Sequence, residues 1–238
     1  MDKEISKLNF IINNSKNIVF LGGAGVSTES GIPDFRGKDG LYNQKYDYSP
    51  EYMLSIDCFL NNPELFYKFY FDKMIYDNVK PNIIHYKLAE LEKRGILSCI
   101  ITQNIDGLHQ MAGSKNVLEL HGNASSFHCM RCDKKYHLKD IKRNAVPICV
   151  CGGILKPDIV LYGEMVDIDV SKEAMHVLAQ SDCLIVGGTS LLVNTATSLL
   201  PYFTGKNFII INLDKTPYDS YASIVIHEKL SKVLKKIK

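Results

Sequence analysis

Short apolar runs alternate with amphipathic stretches along most of the chain, a pattern typical of α/β proteins. Residues 2–14 place apolar side chains on one helical face, and Ile18–Leu21 follows as a buried strand. Further apolar runs predict strands at Ser98–Thr102, Val117–Leu120, Ile159–Leu161, Cys183–Val186, Phe208–Ile211 and Ile224–Ile226. Helical spacing predicts helices at Asn82–Arg94, Leu108–Ala112, Ser171–Gln180, Ser190–Leu200 and near the C-terminus. This alternation predicts one parallel, doubly wound sheet.

Two regions interrupt the alternation, and we expect them to form a smaller lobe together. Residues 37–80 are rich in Tyr and Phe, and they predict short helices at Glu51–Leu54, Ile56–Asn61 and Glu64–Tyr76. Residues 124–153 contain four of the seven cysteines. The larger domain is then predicted to consist of residues 1–36, 81–123 and 154–238.

The segment from Gly22 to Gly37 concentrates residue types that bind ligands. Its first glycines follow a predicted strand, where they allow a tight turn and close approach of a ligand. A helix starting here would direct free N–H groups at an anion, with Ser27 and Thr28 as caps or phosphate contacts. The third glycine of a dinucleotide fingerprint is missing, so a turn without a ligand stays an alternative for the loop alone. The sequence Asp34-Phe35-Arg36 is better suited to lining a ligand site than to a protein core, so it favours the ligand-binding alternative.

Polar segments directly follow five of the predicted strands. They are Gly22–Thr28, Gln103–Asp106, His121–Asn123, Gly187–Ser190 and Asn212–Asp214. Because the carboxyl ends of parallel strands meet at one edge of the sheet, these segments are expected to converge where ligands bind. Each segment taken singly could be an ordinary turn, but together they predict a site for a large phosphate-bearing ligand.

Side-chain chemistry suggests roles at this edge. Thr189 and Ser190 join the glycine loop as donors for a diphosphate; Asn212 and Asp214 could accept from ribose or adenine; Gln103, Asn104 and Asp106 could hold a second ribose and an amide. His121 is the candidate general base, since an unperturbed imidazole has a pKa of about 6.5 that its surroundings can shift either way.

The four clustered cysteines predict a metal site. Cys129 and Cys132 form one close pair, Cys149 and Cys151 form another, and this arrangement fits a tetrahedral four-thiolate zinc site. Four protein ligands leave no position for substrate, so a single zinc ion here would be structural. A redox pair and four unconnected thiols are the alternatives.

Composition narrows the class of protein. An apolar content of 46% and a charged content of 23% are those of a soluble globular protein, and a net charge of +2 does not indicate nucleic acid or membrane as a partner. The uncharged stretch from Cys183 to Gly205 is too polar to span a membrane. We see no secretory signal and no disulfide framework, so we expect a cytoplasmic protein with neither a membrane partner nor a sequence-specific nucleic-acid partner.

The chain resembles the sirtuins, a family of NAD-dependent protein-lysine deacylases. The matching motifs run in family order over nearly the whole chain: GAGVS (Gly23–Ser27), GIPDFRG (Gly31–Gly37), TQNIDGLH (Thr102–His109), ELHGN (Glu119–Asn123), the four cysteines, KPDIVLYGE (Lys156–Glu164), GGTSLLV (Gly187–Val193) and Asn212. The resemblance implies a Rossmann-like NAD-binding domain, with the helical module 37–80 and the zinc module 124–153 as the smaller lobe.

The resemblance also implies a reaction and its residues. Acyl-lysine proteins or peptides meet NAD in the cleft, His121 activates a ribose hydroxyl, Asn104 assists, and the products are nicotinamide, free lysine and O-acyl-ADP-ribose. The NAD contacts it implies are Ala24, Gly25, Thr28, Asp34, Phe35, Arg36, Gln103, Ile105, Asp106, Gly188, Thr189, Ser190, Asn212 and Leu213. Val160, Leu161 and Val193 would hold the substrate peptide as an added strand.

Some positions differ from the family pattern. Thr195 stands where a proline is common, and Leu161-Tyr162 replaces a frequent aromatic pair. Members that prefer acidic acyl groups carry Tyr-x-x-Arg, whereas the nearest candidates here, Tyr67-x-x-Tyr70 and Tyr70-x-x-Lys73, contain no arginine. We therefore predict an acetyl or another uncharged acyl group as substrate. ADP-ribosyl transfer, NAD hydrolysis and a non-catalytic nucleotide-sensing or protein-binding module are the alternatives.

Overall fold

The computed structural model describes residues 2–35, 37 and 40–238, and it contains two sheets. The strands are β1 (Ile18–Gly22), β2 (Leu97–Thr102), β3 (Val117–Glu119), β4 (Gly122–Cys129), β5 (Lys135–His137), β6 (Leu155–Ile159), β7 (Cys183–Gly187), β8 (Asn207–Ile211) and β9 (Ile224–Ile226). The α-helices are α1 (Asp2–Asn14), α2 (Pro50–Met53), α3 (Ile56–Asn61), α4 (Pro63–Lys73), α5 (Ile83–Lys93), α6 (Leu108–Met111), α7 (Ile168–Gln180), α8 (Asn194–Thr197) and α9 (Leu230–Leu234).

The larger sheet is parallel and has six strands in the order β3-β2-β1-β7-β8-β9. Counted within this sheet alone, the order is 3-2-1-4-5-6, the arrangement of a doubly wound Rossmann-type fold. Successive residues of β1 point to opposite faces: Phe20 packs in the cluster that includes α1, α5 and α9, and Leu21 packs in the cluster that includes α7. The predicted fold class is confirmed, since both faces of the sheet are covered.

The smaller lobe combines short helices with a three-stranded antiparallel sheet in the order β5-β4-β6. Its core is largely aromatic, with Phe66, Tyr67 and Tyr70 of α4 packed together and Tyr70 also against Phe127 of β4. The Tyr67 hydroxyl donates to the Leu155 carbonyl in β6. The helices and the cysteine-bearing sheet therefore share one core.

The prediction of a strand at Ile159–Leu161 in the larger sheet is wrong. The strand runs from Leu155 to Ile159 and pairs antiparallel with β4 in the smaller sheet. It is an edge strand and contains Pro157, which lacks the N–H that a central strand needs.

Two predicted helices are also wrong. No α-helix follows the glycine loop; two 3₁₀ turns, Ala24–Val26 and Thr28–Ser30, occupy that position, and Ser27 makes no side-chain cap. The helix predicted over Ser190–Leu200 shrinks to α8, followed by a 3₁₀ turn at Leu200–Tyr202. Leu191 adopts a left-handed conformation with φ of 52°, which interrupts a helix starting at Ser190.

None of the helices in the described part of the chain is long and apolar enough to cross a membrane.

Candidate active site

The carboxyl ends of the parallel strands bring the predicted polar segments side by side. Gly22 pairs in register with Thr102 on one side and with Gly187 on the other. The same row continues through Glu119 of β3 and Ile211 of β8. The segments that follow these strands, which hold Gln103, His121, Gly188 and Asn212, therefore emerge at one edge, as the sequence predicts.

The glycine loop packs directly on the backbone of the loop that follows β7. The Gly25 N–H donates to the Gly188 carbonyl at 2.8 Å, and a Cβ on Gly25 would lie 2.9 Å from the Gly188 Cα. Gln103 ties the third segment to both loops, since its Nε2 donates to Thr189 Oγ1 at 3.1 Å and to the Gly22 carbonyl at 3.4 Å. The three segments form one connected surface, and side chains larger than hydrogen have no space at the contact.

Ser27, Asn104 and Asp106 form a hydrogen-bonded cluster beside the glycine loop. The Ser27 hydroxyl donates to Asp106 Oδ2 at 2.6 Å and accepts from Asn104 Nδ2 at 3.0 Å. The second oxygen of Asp106 accepts from the Leu108 N–H at 2.9 Å. Ser27 is only 1% exposed, so it fixes Asn104 and Asp106 rather than capping a helix. The sequence predicted Ser27 as a helix cap or a phosphate contact, and its actual partners were not predictable from local sequence.

His121 is held in one tautomer by its surroundings. Its Nδ1 lies 2.9 Å from the Gln103 carbonyl, which can only accept, so Nδ1 carries the hydrogen. Its Nε2 lies 2.7 Å from Thr195 Oγ1 and therefore accepts a hydrogen bond from that hydroxyl. Burial lowers the pKa of His121, although the Gln103 carbonyl partly opposes the shift. The ring is thus neutral at neutral pH, as a general base must be.

Gly122, the residue after His121, meets β6 at very close range. Its φ is 77°, and a Cβ at this position would lie 2.0 Å from the Asp158 carbonyl oxygen. The His121 carbonyl also accepts from the Val160 N–H at 3.0 Å. The candidate base is therefore fixed to the strap formed by residues 157–164 through backbone atoms.

An ion pair between buried Lys156 and half-buried Glu164 holds this strap in place. Lys156, which is 6% exposed, lies 3.0 Å from Glu164 Oε2, and the same carboxylate oxygen accepts from the Leu161 N–H at 2.9 Å. Val160 and Leu161, predicted to hold the substrate, lie on this strap. Val193, the third such residue, precedes α8 and accepts from two of its N–H groups.

The loop after the glycine segment folds back over its own start. The Asp34 carboxylate accepts from the Gly37 N–H at 2.7 Å, and the Phe35 ring packs edge-on against Tyr42 with centroids 5.7 Å apart. The Tyr42 hydroxyl is hydrogen-bonded to the Tyr162 hydroxyl on the strap. Arg36 lies outside the described residues.

The remaining predicted NAD contacts occupy the same edge. Ala24 and Gly25 lie in the first 3₁₀ turn, and Thr28 Oγ1 donates to the Gly25 carbonyl at 3.1 Å. Ile105 packs on the core of the smaller lobe, where its carbonyl accepts from the Ala124 N–H. Asn212, Leu213 and Ser190 follow their strands, and Leu213 is 60% exposed.

The four clustered cysteines are free thiols whose sulfur atoms all lie within 4.8 Å of one another. Sulfurs of Cys129 and Cys151 are 3.5 Å apart, and those of Cys132 and Cys149 are 3.6 Å apart. Zinc–sulfur bonds of about 2.3 Å place tetrahedral sulfurs roughly 3.8 Å apart, so the four residues fit one zinc ion. Four sulfurs gathered this closely favour a single zinc ion over the two alternatives, a redox pair and four unconnected thiols.

Tyr136 is a residue of the cysteine cluster that the sequence did not reveal. Its hydroxyl lies 3.0 Å from the Cys149 sulfur. The Cys151 backbone N–H and then this hydroxyl lower the pKa of Cys149 to about 6. Both donors favour the thiolate, which is the form that binds zinc.

Two further histidines lie buried near the site, although the sequence suggested no role for them. His85 and His109 are 0% and 1% exposed, and their ring centroids are 4.8 Å apart. Burial lowers the pKa of His85 to about 4 and that of His109 to about 3, while Asp106 partly opposes the shift at His85. Both rings are neutral at neutral pH.

A Rossmann-type sheet with a polar carboxyl edge, joined to a lobe whose four clustered cysteines fit a zinc ion, is the architecture of a nucleotide-binding α/β protein. Residues 23–195, well over half of the chain, match the Sir2 family. The chain belongs to this family, and the resemblance to sirtuins seen in its motifs is confirmed.

Individual relatives cover almost the whole chain. An NAD-dependent protein deacetylase of Clostridium tetani (strain Massachusetts / E88) is 53% identical over 95% of this chain and 94% of its own length. A solved complex of a Sir2 protein with p53 peptide and NAD⁺ has a TM-score of 0.87 at 37% identity, over 98% of this chain and 96% of that one. A complex of a Sir2 homologue with NAD has a TM-score of 0.88 at 40% identity, over 98% and 91%.

Proposed function

We propose that this protein removes acetyl or other uncharged acyl groups from lysine side chains of proteins, with NAD as the acyl acceptor. The observation that carries the proposal is the geometry of His121. Its Nδ1–H is fixed by the Gln103 carbonyl, and burial keeps the ring neutral. A neutral imidazole whose unprotonated nitrogen is Nε2 can take a proton from a ribose hydroxyl at that atom.

NAD supplies the ribose to which the acyl group is transferred as nicotinamide leaves. Gly25, Thr189 and Ser190 bind the diphosphate, and Asn212 and Leu213 bind the far end of the dinucleotide. The cluster of Ser27, Asn104 and Asp106 orients Asn104 and Asp106 toward the nicotinamide ribose and its amide, because each of these side chains is already fixed by a partner. Ala24, Thr28, Asp34, Phe35, Arg36, Gln103, Ile105 and Gly188 complete the proposed NAD site.

His121 accepts the ribose hydroxyl proton at Nε2 and becomes an imidazolium. The Gln103 carbonyl holds the Nδ1–H throughout, so the ring keeps its orientation while its charge changes. Bound NAD would supply this ribose oxygen as the nucleophile for the acyl carbon once nicotinamide has left, and a water molecule would complete the release of free lysine. Val160, Leu161 and Val193 hold the peptide, and the Lys156–Glu164 pair keeps the strap in the position this requires.

The preference for an uncharged acyl group is supported by the helical module. Tyr67 and Tyr70 are buried, and their hydroxyls are engaged by the Leu155 and Ala124 carbonyls. Lys73 lies 3.0 Å from the Asp72 carboxylate. None of the three side chains is free to pair with an acidic acyl group, which needs a cationic partner.

A cytoplasmic location is part of the proposal. It is supported by the seven free thiols, which suit a reducing compartment. Cell fractionation followed by immunoblotting would test it, and recovery outside the cytoplasmic fraction would contradict it.

The decisive test is mass spectrometry of an acetyl-lysine peptide incubated with the protein, with and without NAD. We expect loss of acetyl only with NAD, in step with O-acetyl-ADP-ribose, and no loss with His121→Ala. The matched control is His176→Ala, an exposed histidine on α7, which should behave like the wild type. Nicotinamide release with an unchanged peptide would instead indicate NAD hydrolysis or ADP-ribosyl transfer.

A further inference from the structure

The Nε2 atom of His121 already has a hydrogen-bond donor from this chain. Because the Gln103 carbonyl fixes the hydrogen on Nδ1, Nε2 offers a lone pair, and the Thr195 hydroxyl donates to it at 2.7 Å. A lone pair accepts one strong hydrogen bond at a time. Thr195 is also the position where the sequence departs from the proline common in the family, and a proline could not donate here.

The loop before Thr195 is anchored firmly enough to place this hydroxyl. Leu191 is a non-glycine residue with φ of 52°, a conformation that leucine rarely adopts. Its side chain is 2% exposed and packs in the core cluster that lines one face of the larger sheet. This packing holds the strained backbone, and α8 then begins three residues later with Thr195 as its second residue.

We propose that Thr195 is a positioning residue whose hydroxyl occupies Nε2 of His121 until the ribose hydroxyl of NAD replaces it. The inference rests on the proposed function, since it assigns the ribose to this nitrogen. The two hydroxyls compete for one lone pair, so NAD engages the base only after the bond to Thr195 has broken. The threonine thus imitates the ribose hydroxyl and keeps Nε2 directed toward its future partner.

The chain offers a matched control on the same helix. The Thr197 hydroxyl donates instead to the backbone carbonyls of Val193 and Asn194, at 3.4 and 3.3 Å. Thr197→Val therefore removes a threonine hydroxyl from α8 without altering the contact at Nε2. Thr195→Val removes the relevant hydroxyl with little change in shape, and Thr195→Ser keeps it.

The first experiment needs no ligand. Ring ¹⁵N NMR of the full-length protein, with His121 assigned by comparison with His121→Ala, reports the hydrogen bond to Nε2 directly. We expect the Nε2 resonance of Thr195→Val to move downfield, because a bare lone pair resonates downfield of a hydrogen-bonded one. Thr195→Ser and Thr197→Val should keep the wild-type shift. An unchanged Nε2 resonance in Thr195→Val would overturn the inference.

The second experiment measures competition by calorimetric titration with carba-NAD, in which a carbon replaces the ribose ring oxygen and nicotinamide cannot leave. Thr195→Val should bind about fivefold more tightly than the wild type, the factor for one hydrogen bond that no longer has to be broken. Thr195→Ser and Thr197→Val should match the wild type. Equal or weaker binding by Thr195→Val would overturn the inference. Failure of the wild type to bind carba-NAD would instead count against the proposed function.

Steady-state kinetics distinguish a positioning role of Thr195 from a merely structural one. In the same deacetylation assay, Thr195→Val should show a lower KM for NAD, and Thr195→Ser should restore the wild-type value. A general disturbance of the loop would raise this KM and lower kcat in both variants, which would contradict the proposal.

Discussion

The two lobes of this protein are held together by different means. In the larger domain, β1 and β7 are buried along their entire length, because helices cover both faces of the sheet. In the smaller lobe, β5 is mostly exposed and β4 is buried only at intervals. These strands therefore bury little apolar surface to stabilise their sheet. Aromatic packing and the four-cysteine cluster, which fits one zinc ion, compensate there. We therefore expect the larger domain to fold by apolar burial and the cysteine module to depend on a bound zinc ion.

Removal of zinc should produce the largest difference in stability between the two lobes. Structural zinc in small modules contributes on the order of 10 kcal/mol to the free energy of folding. The apolar side chains buried by β4–β6 cannot make up for a loss of that size. Hydrogen exchange after chelation should show rapid exchange at Phe127 and continued protection at Phe20. Cys132→Ser should lose zinc, while Cys58→Ala, a thiol of the same lobe outside the cluster, should retain it. Equal loss of protection in both lobes would contradict the comparison.

A mutation that creates a cavity beside the larger sheet should cause the next largest change in stability. Phe20 is fully buried, and Phe20→Ala is expected to lower the free energy of unfolding by about 3–5 kcal/mol. Denaturant titration followed by circular dichroism measures this change. Val150→Ala, at a side chain that is 86% exposed beside the zinc ligands, serves as the control and should stay within about 0.5 kcal/mol. A comparable loss in both variants would argue against the division.

Acidification should weaken the larger domain through its buried histidines. The pKa values of His85 and His109 lie at about 4 and about 3, below the usual value of about 6.5, so the unfolded state binds protons first as the pH falls. The stability that the two neutral histidines contribute is therefore fully present above about pH 6.5 and is lost progressively toward pH 4, by on the order of 3 kcal/mol for each histidine. Unfolding free energies measured across this range should show a smaller slope for His109→Gln. His176→Ala should keep the slope, and an unchanged slope in His109→Gln would disprove this account.

The ion pair between the two parts of the smaller lobe should matter least. Arg143 donates to both oxygens of Asp77, at 2.9 and 2.7 Å, but both side chains are well exposed. Arg143→Gln should therefore cause a small loss of stability that disappears at high salt. Denaturant titration at low and high ionic strength checks this expectation. A large loss that persists in salt would indicate that the pair contributes to the core of the lobe.

The central strands of the larger sheet, β1 and β7, were predictable because they are buried on both faces and therefore appear as continuous apolar runs. β6 was not predictable, because its sequence mixes apolar and charged residues and includes Pro157. Only its pairing with β4 defines it as a strand. The helix expected from Ser190 failed because tertiary packing of Leu191 imposes a left-handed backbone that local propensity does not reveal.

The candidate site divides in the same way. The polar segments at the carboxyl edge followed from strand order, and the cysteine spacing predicted the four-sulfur cluster. The role of Ser27, the contact of Tyr136 with Cys149 and the burial of His85 and His109 all depend on residues far apart in sequence. Such contacts arise only when the chain has folded.

The close approach of Gly122 to β6 limits how this protein can change over generations. The atom that excludes a side chain at position 122 is a backbone carbonyl, which is the same whatever residue occupies position 158. No compensating substitution in β6 can therefore make room for a larger residue beside His121. A larger residue at position 122 would therefore have to move the backbone that carries His121.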